Sequence, residues 1–487
     1  MKINIFQKIK SLKYPKYLYL LGFGMLTIVF AAYRFWILPD GLSTMEIESA
    51  AISGQFSLSQ LATNFSEHAN WLVNLPWIIL QNLSINIFGF STFAFRLPAV
   101  ILMTLSVFGL IFVACKLLNK NIAIISGFLI IPSALFMSLA RSGAPHAMTI
   151  FLITLALFSV VIALSIKSNW QKTLFRVLTI VALSLLLYMQ GGIYIVGAMI
   201  LFGILHPKIR LLFLRDKNWK VIIPEILAGL VIVAPLIAGF ILGDRNFIWN
   251  LLLTSSGGWS IENLSLLGAS LTSFGTGLAG NLITPILSAV SLIIATIGLI
   301  RVITNFSSAR SYLILAFLIL AIKLSIYQPQ FIFLLFIPLT LLIAIGMNVL
   351  IREWNKLFPL NPYARAMVFG LIGFIIFINC WVSISHFIAA NKYDSTVVYH
   401  YNQEFNAARE FLSNQDRSNF TLVVAENERD FYQNLARDFA DLRITTDVKN
   451  DNENLIILNS SDQRVDKVPV KIVTNSRLHD SILLRIY

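Results

Sequence analysis

Apolar runs long enough to cross a bilayer recur between residues 18 and 387 of this 487-residue chain, and a soluble fold has nowhere to put them. Hydrophobic residues make up 57% of the sequence and charged ones 13%, too few polar groups to coat a globule of this size. In lipid each run must satisfy its own backbone, which leaves the helix as the spanning form. The runs predict about eleven spans: Leu18–Leu38, Leu97–Cys115, Ile122–Leu139, Ala147–Ile166, Val177–Met189, Ile193–Leu205, Val221–Leu242, Leu282–Ile300, Tyr312–Ile326, Phe331–Leu350 and Met367–Phe387. The fifth and sixth are short and flank Gln190-Gly191-Gly192, the pattern of a tilted pair or a re-entrant hairpin.

Basic residues orient the chain. Of 25 Lys and Arg ahead of residue 389, 20 fall on one side of the predicted spans, from Lys2 to Lys16 at the N-terminus through Lys208–Lys220 to Arg352, Lys356 and Arg365. That side is expected to be the cytoplasm. Residues 39–96, 140–146, 243–281 and everything after 388 then lie outside, in a multi-pass protein of the cell membrane. The net charge of +13 divides into +16 before residue 389 and −3 after it. The basic excess is therefore a topology signal, and no nucleic-acid partner is expected. Cys115 and Cys380 both fall in apolar runs, where neither a disulfide framework nor a zinc cluster is available. The first run lacks a small-residue cleavage site and reads as a retained anchor.

After Phe387 the composition turns polar, and two domains are expected: 1–388 in the membrane and 389–487 as a small extracytoplasmic α/β unit. Asn402–Leu412 has helical spacing with Phe405, Ala408 and Leu412 on one face, and Asp430–Phe439 is helical again. Phe420–Ala425, Leu455–Leu458, Val468–Val473 and Ser481–Ile486 read as strands. The acidic residues of this tail read as a solvated face. The segment 39–96 is too long for a connector and mixes polar residues with Ile47, Ala50, Phe56, Leu61 and Trp71, a pattern for surface helices that roof a lipid-facing site.

Four stretches carry a resemblance. Pro39-Asp40-Gly41-Leu42-Ser43-Thr44-Met45-Glu46-Ile47-Glu48 resembles the first outer loop of polyprenyl-phosphate-dependent glycosyltransferases of the C-type membrane fold, where an Asp-Glu pair follows the first span. Phe88-Gly89 through Arg96-Leu97-Pro98 is similar to that group's Phe-Gly and Arg-Leu-Pro signature. Ser138–Ala147 and Gln328-Pro329-Gln330 are similar to its short second outer loop and its late loop. The group includes the protein mannosyltransferases and the aminoarabinose transferases of lipid A. The resemblance implies transfer of a sugar from a polyprenyl-phosphate donor to a glycan, lipid or protein acceptor on the outer face, in a bacterial cell envelope.

Residue by residue, the resemblance implies Glu46 as the base that takes the acceptor's proton, with Glu48 or Asp40 as its partner. Arg141, Arg245, His146 and Arg96 are candidates for binding substrate phosphate, and Glu67 with His68 for a divalent metal ion. Each has a plainer reading: Glu46 as a helix cap, Arg96 and Arg141 as anchors of their spans, His146 as a boundary residue. The sequence departs from the group's pattern at Met45, His146 and Gln330, each the loss of a charge. Two alternatives stay open: a catalytically degenerate member that binds a lipid-linked glycan or a partner, and a transporter or flippase of a lipid-linked substrate.

Overall fold

The structure, a computed structural model, describes residues 15–63, 65, 68–166, 168–205, 207, 219–242, 245–252, 258–273, 275–414, 420–439, 441–447, 454–461, 463, 468–475 and 481–487. The described residues open with α1 (Pro15–Ala32), then α2 (Thr44–Gln55), α3 (Leu58–Thr63) and α4 (Leu75–Phe88) in the first loop. The membrane bundle follows as α5 (Thr92–Leu117), α6 (Lys120–Ile130), α7 (Ala134–Ala140), α8 (His146–Ser165), α9 (Asn169–Leu186), α10 (Gly192–Leu205) and α11 (Trp219–Leu242). Beyond it come α12 (Arg245–Leu252), α13 (Ile261–Thr272), the hairpin β1 (Gly277–Ala279) and β2 (Leu282–Thr284), α14 (Ala289–Thr304) and α15 (Ala309–Tyr327). A 3-10 turn over Pro329–Leu335 leads into α16 (Phe336–Leu357), and α17 (Pro362–Tyr393) closes the bundle.

Among the described residues six helices are long and apolar enough to span a bilayer, seven if α6 and α7 count as one span bent by 75°. The bend falls at Pro132, which cannot donate to the helical ladder. Several of the eleven predicted runs are shorter or more polar as helices: α10 and α14 are short, and α9 starts with Trp170-Gln171-Lys172. Helix α16 is the hub. It meets α14 backbone to backbone, because a Cβ on Gly298 would sit 2.0 Å from the Leu342 oxygen and one on Gly346 2.0 Å from the Ile294 oxygen. Small residues permit such an approach where lipid supplies no hydrophobic drive between helices. Helices α11 and α17 stand at the periphery with most of their surface uncovered.

The tail adds α18 (Ser395–His400), α19 (Glu404–Ser413), β3 (Phe420–Val423), α20 (Arg429–Leu435), β4 (Leu442–Thr445), β5 (Leu455–Leu458), β6 (Lys471–Thr474) and β7 (Ile482–Ile486). The sheet runs β4-β3-β5-β7-β6, with β3 parallel to β4 and β5 and with β7 antiparallel to β5 and β6. Helix α19 buries Phe405, Ala408 and Leu412, the face its spacing predicts.

The tail has one small apolar cluster of its own, Val423, Leu455 and Ile457, and shares its larger one with the first loop and α5. Phe405, Phe431, Tyr432 and Leu435 share one apolar cluster with Leu42, Ala50, Phe90 and Phe95 of the first loop and α5. Phe90 and Phe431 lie 5.0 Å apart by ring centroids, and Phe95 and Phe405 5.7 Å. Polar bonds fix the same seam: Asn434 donates to the Ala51 carbonyl (3.1 Å), Arg437 to Gly54 (2.6 Å), and the Phe90 amide donates to Asp438 (2.7 Å). The last bundle helix also runs to Tyr393, past the boundary expected at 388, and Asp394 caps α18 while accepting from Thr276 beside the hairpin. Helix α2 is thus held between α4 and the tail, while Leu61 of α3 joins a separate apolar cluster with Leu236 and Phe247.

Candidate active site

Ser43-Thr44-Met45-Glu46 begins α2 as a capping box: the Ser43 hydroxyl accepts from the Glu46 amide (3.3 Å) and Glu46 Oε2 accepts from the Ser43 amide (2.9 Å). The same carboxylate meets α5. Arg96 donates from Nε to Oε1 (2.8 Å) and from Nη2 to Oε2 (3.1 Å), and the Gly143 amide reaches Oε1 at 2.7 Å. Arg96 gives its other donors to the carbonyls of Phe35, Pro39 and Gly41. Both side chains have no exposed surface.

Five N–H groups therefore meet five acceptors on Arg96, and four donors surround one carboxylate on Glu46. Burial pushes the Glu46 carboxyl upward, but Arg96 and the amides of Gly143 and Ser43 outweigh it and hold the group below its ordinary range. A side chain on Gly143 would crowd both Oε1 of Glu46 (3.2 Å) and the Phe95 carbonyl (3.3 Å). Nearby, Gln81 accepts from Ser49 and Ser53 and donates to Phe95 and Gly143, tying α2, α4, α5 and the second loop into one buried network.

This geometry corrects the expectation for Arg96: with every donor spent, none is left for a phosphate. The helix-capping reading of Glu46 is the one the contacts support. Glu48 is exposed on α2, and Asp40 is half-buried between Pro39 and Gly41, two of the three residues whose carbonyls accept from Arg96. Glu67 lies outside the described residues, and of Arg245 only the backbone at the start of α12 is described. His68 packs edge-on against Trp71 at 4.2 Å. Among the described residues no three His, Cys, Asp or Glu come together in a metal-holding group.

Arg141 has a different setting. It ends α7 and is 2% exposed, donating from Nη1 to Met137 (3.0 Å) and from Nη2 to Phe30 (2.7 Å) and Tyr33 (3.2 Å), with its Nε buried and unpartnered. Its guanidinium lies 5.0 Å from the Phe387 ring. No carboxylate pairs with it among the described residues. It lines a groove of about 230 Å³ between α1, α7 and α17, whose walls are Val29, Phe30, Tyr33, Leu38, Met137, Ile384, Phe387 and Ile388.

The three departures from the expected pattern are joined by a chain of contacts. His146 stacks on Phe333 (4.4 Å, 11°) with Nε2 buried and unpartnered, and Phe333 shares its turn with Gln330, which donates to Gln328 (2.8 Å). Gly280 of the β1–β2 turn lies against Pro329 and Gln330. The next residue, Asn281, sets its amide nitrogen on the Met45 sulfur and its oxygen 3.1 Å from Nε2 of His400.

Sequence reasoning passed over Asn281, Gln81 and His400. His400 is half-buried, and burial holds its pKa below 6.5 although the nearby Glu46 charge pulls the other way. The neutral tautomer that donates from Nε2 to the Asn281 oxygen satisfies this contact and leaves a lone pair on Nδ1. The one sequence signal was a histidine between two tyrosines, Tyr399 and Tyr401, shortly after the last span.

Residues 75–239 match the family described as dolichyl-phosphate-mannose-protein mannosyltransferase. The whole architecture is similar to ArnT from Cupriavidus metallidurans in the apo state, with a TM-score of 0.53 and 12% identity over 94% of this chain and 97% of that one. The C-type membrane glycosyltransferase fold is this chain's fold. The same ArnT bound to undecaprenyl phosphate aligns at a TM-score of 0.52 with 12% identity, over 96% and 97% of the two chains. The Archaeoglobus fulgidus oligosaccharyltransferase tethered with an acceptor peptide aligns at 0.52 and 11% identity over 88% of this chain, which spans 64% of that longer one. No curated protein sequence matches. With this fold and its apolar helices, the chain is a multi-pass membrane protein.

Proposed function

We propose that this protein transfers a sugar from a polyprenyl-phosphate donor to a hydroxyl-bearing acceptor at the end of the bundle where the first loop and the tail meet. One observation carries the reading: Arg141 is a buried cation with no carboxylate partner among the described residues, lining an apolar groove two residues from the Gly143 amide that binds Glu46. An isoprenoid chain suits such walls, and a guanidinium suits the phosphate at its end. The ArnT structure with undecaprenyl phosphate supports a ligand of this chemistry. The distribution of basic residues supports an outer-face site with the N-terminus in the cytoplasm.

In the reaction the acceptor oxygen bonds to the anomeric carbon as the bond from that carbon to the phosphate oxygen breaks, and the electron pair leaves with the polyprenyl phosphate. Arg141 stabilises the departing charge. The hydroxyl proton passes to Nδ1 of His400, neutral at physiological pH and joined through Asn281 to Met45, the position where the related pattern has its aspartate. Glu46 and Arg96 hold the first loop in place instead of exchanging protons. Half-buried Asp40 is the alternative base.

The test is a transfer assay in vesicles with labelled lipid-phosphate sugar. His400→Asn is expected to lower turnover about 100-fold, within the usual range for removing a general base, and to remove the loss of rate on acidification below pH 6.5. Asp40→Asn is expected to leave it within about threefold. A reversed outcome moves the base to Asp40. The degenerate alternative is favoured by the neutral Met45 and Gln330; donor binding that depends on Arg141, without turnover for any acceptor, would establish it.

A further inference from the structure

The end of the bundle remote from the tail holds a second polar cavity that the transfer reaction does not use. Helix α14 leaves the β1–β2 hairpin and climbs for 16 residues, about 24 Å at 1.5 Å per residue, before its last turn presents Arg301. There Arg301, Arg310 at the start of α15, and Asn348, Arg352, Glu353 and Lys356 on the end of α16 enclose about 160 Å³. At about 30 Å³ per liquid water, that is room for a phosphate group with a few waters.

The charges do not cancel. Four cations face one carboxylate, and Glu353 is engaged by Lys356 at 2.7 Å. Among the described residues no carboxylate comes within 4 Å of Arg301, Arg310 or Arg352. Arg310 is preset: Nη1 is fixed on the Leu117 carbonyl at 3.0 Å, while its Nε is buried with no partner. Helix α15 starts at Ser308 without a side-chain cap, so its first-turn amides add positive potential next to Arg310. Arg301, Arg352 and Lys356 are exposed and Arg310 is half-buried, and the four converge from three helices on one cavity.

The geometry points to a binding site for a phosphate group at this end of the bundle, supplied by the headgroup of an anionic phospholipid or by a soluble phosphate compound. Two or three guanidinium groups bracket the phosphate oxygens and Asn348 adds an amide donor. The site braces α14, α15 and α16 at the face opposite the transfer site, and it stands independently of the reaction proposed above.

Native mass spectrometry of the delipidated full-length protein tests it, with phosphatidylglycerol, phosphatidylcholine and inorganic phosphate as probes. The wild type is expected to retain one phosphatidylglycerol at least tenfold better than phosphatidylcholine, and Arg301→Gln with Arg352→Gln to abolish that preference. Lys116→Gln with Lys172→Gln, equal in charge removed, is expected to keep it. Thermal stabilisation of the wild type by millimolar phosphate, absent in the Arg301→Gln/Arg352→Gln protein and without any lipid preference, would assign the same site to a soluble ligand. Equal retention in both double variants, or no response of the wild type to either phosphate source, overturns the proposal. Arg301→Lys with Arg352→Lys keeps the charge and guards against misfolding: a severalfold loss of affinity is expected, and unchanged affinity also overturns it.

Discussion

Arg96 and Arg141 belong to the same end of the bundle and are both buried, yet their surroundings differ in kind. Arg96 has two of its five N–H groups on Glu46 and three on carbonyls, so its charge is cancelled and its geometry closed. Among the described residues Arg141 meets carbonyls and an aromatic ring but no carboxylate, keeps a bare Nε, and faces an apolar groove. A cation matched by an anion inside a protein is architecture; a buried cation with none leaves an anion's place to be filled. The pair separates what holds the first loop from what can hold a ligand, a distinction that motif matching cannot make because both residues lie in motif positions.

The comparison is broken most severely by removing one member of the closed pair. Arg96→Gln is expected to destabilise the protein by about 3–5 kcal/mol, the range for leaving a buried charge alone, and to lower the yield of folded protein; thermal unfolding in detergent measures it. Replacing both partners, as in Glu46→Gln with Arg96→Gln, is expected to recover a large part of that loss. If Glu46→Gln alone folds normally and only turnover falls, Glu46 is the base after all. Arg141→Gln is expected to do the reverse, leaving the unfolding temperature nearly unchanged while weakening lipid-phosphate binding at least tenfold, with Arg141→Lys intermediate. Equal thermal losses for Arg141→Gln and Arg96→Gln would erase the distinction.

A smaller effect sharpens the contrast in the tail. Glu404 is buried with Oε2 unpartnered, its pKa pushed to about 7 from an ordinary 4.5 by burial, against a hydrogen bond from Ser460 and with further help from Glu428. The folded state therefore binds this proton more tightly than the unfolded one. Its contribution is full below pH 4.5 and is lost as pH rises toward 7, by at most roughly 3 kcal/mol. Glu404→Gln is expected to raise tail stability at pH 8 and to leave it unchanged at pH 4.5, read by hydrogen exchange of peptides from α19 and β5. A carboxylate without a cation is here the mirror image of Arg141.

Run length was enough to find the bundle, because apolar residues in lipid have few other options. It also misplaced detail for physical reasons. Leu75–Phe88 is as apolar as a span but sits between polar stretches, so it read as loop; in the structure it packs α2 against α5 with Trp77 and Gln81 fully buried. Strand β4 was missed since Leu442-Arg443-Ile444-Thr445 is four residues with one buried side chain, and its pairing with β3 supplies the order. The motif positions were legible as motifs, whereas the task of Glu46 was not. Its carboxylate is governed by Arg96 and Gly143, distant in sequence, and no local pattern announces that both will arrive. His400 escaped for the opposite reason, since a lone histidine in a polar tail says nothing until Asn281 is beside it.

The seam between first loop and tail has a consequence for how the molecule is made. The Phe90 amide waits for Asp438, 348 residues later, and Leu42 pairs with Asn402 across a still longer stretch. During synthesis the helices of the bundle enter the bilayer in turn, but the rim near Met45 stays unfinished until the final hundred residues emerge. Chains cut short anywhere before that are expected to hold an assembled bundle with an open, unshaped mouth, so the order of translation itself delays competence until the protein is whole.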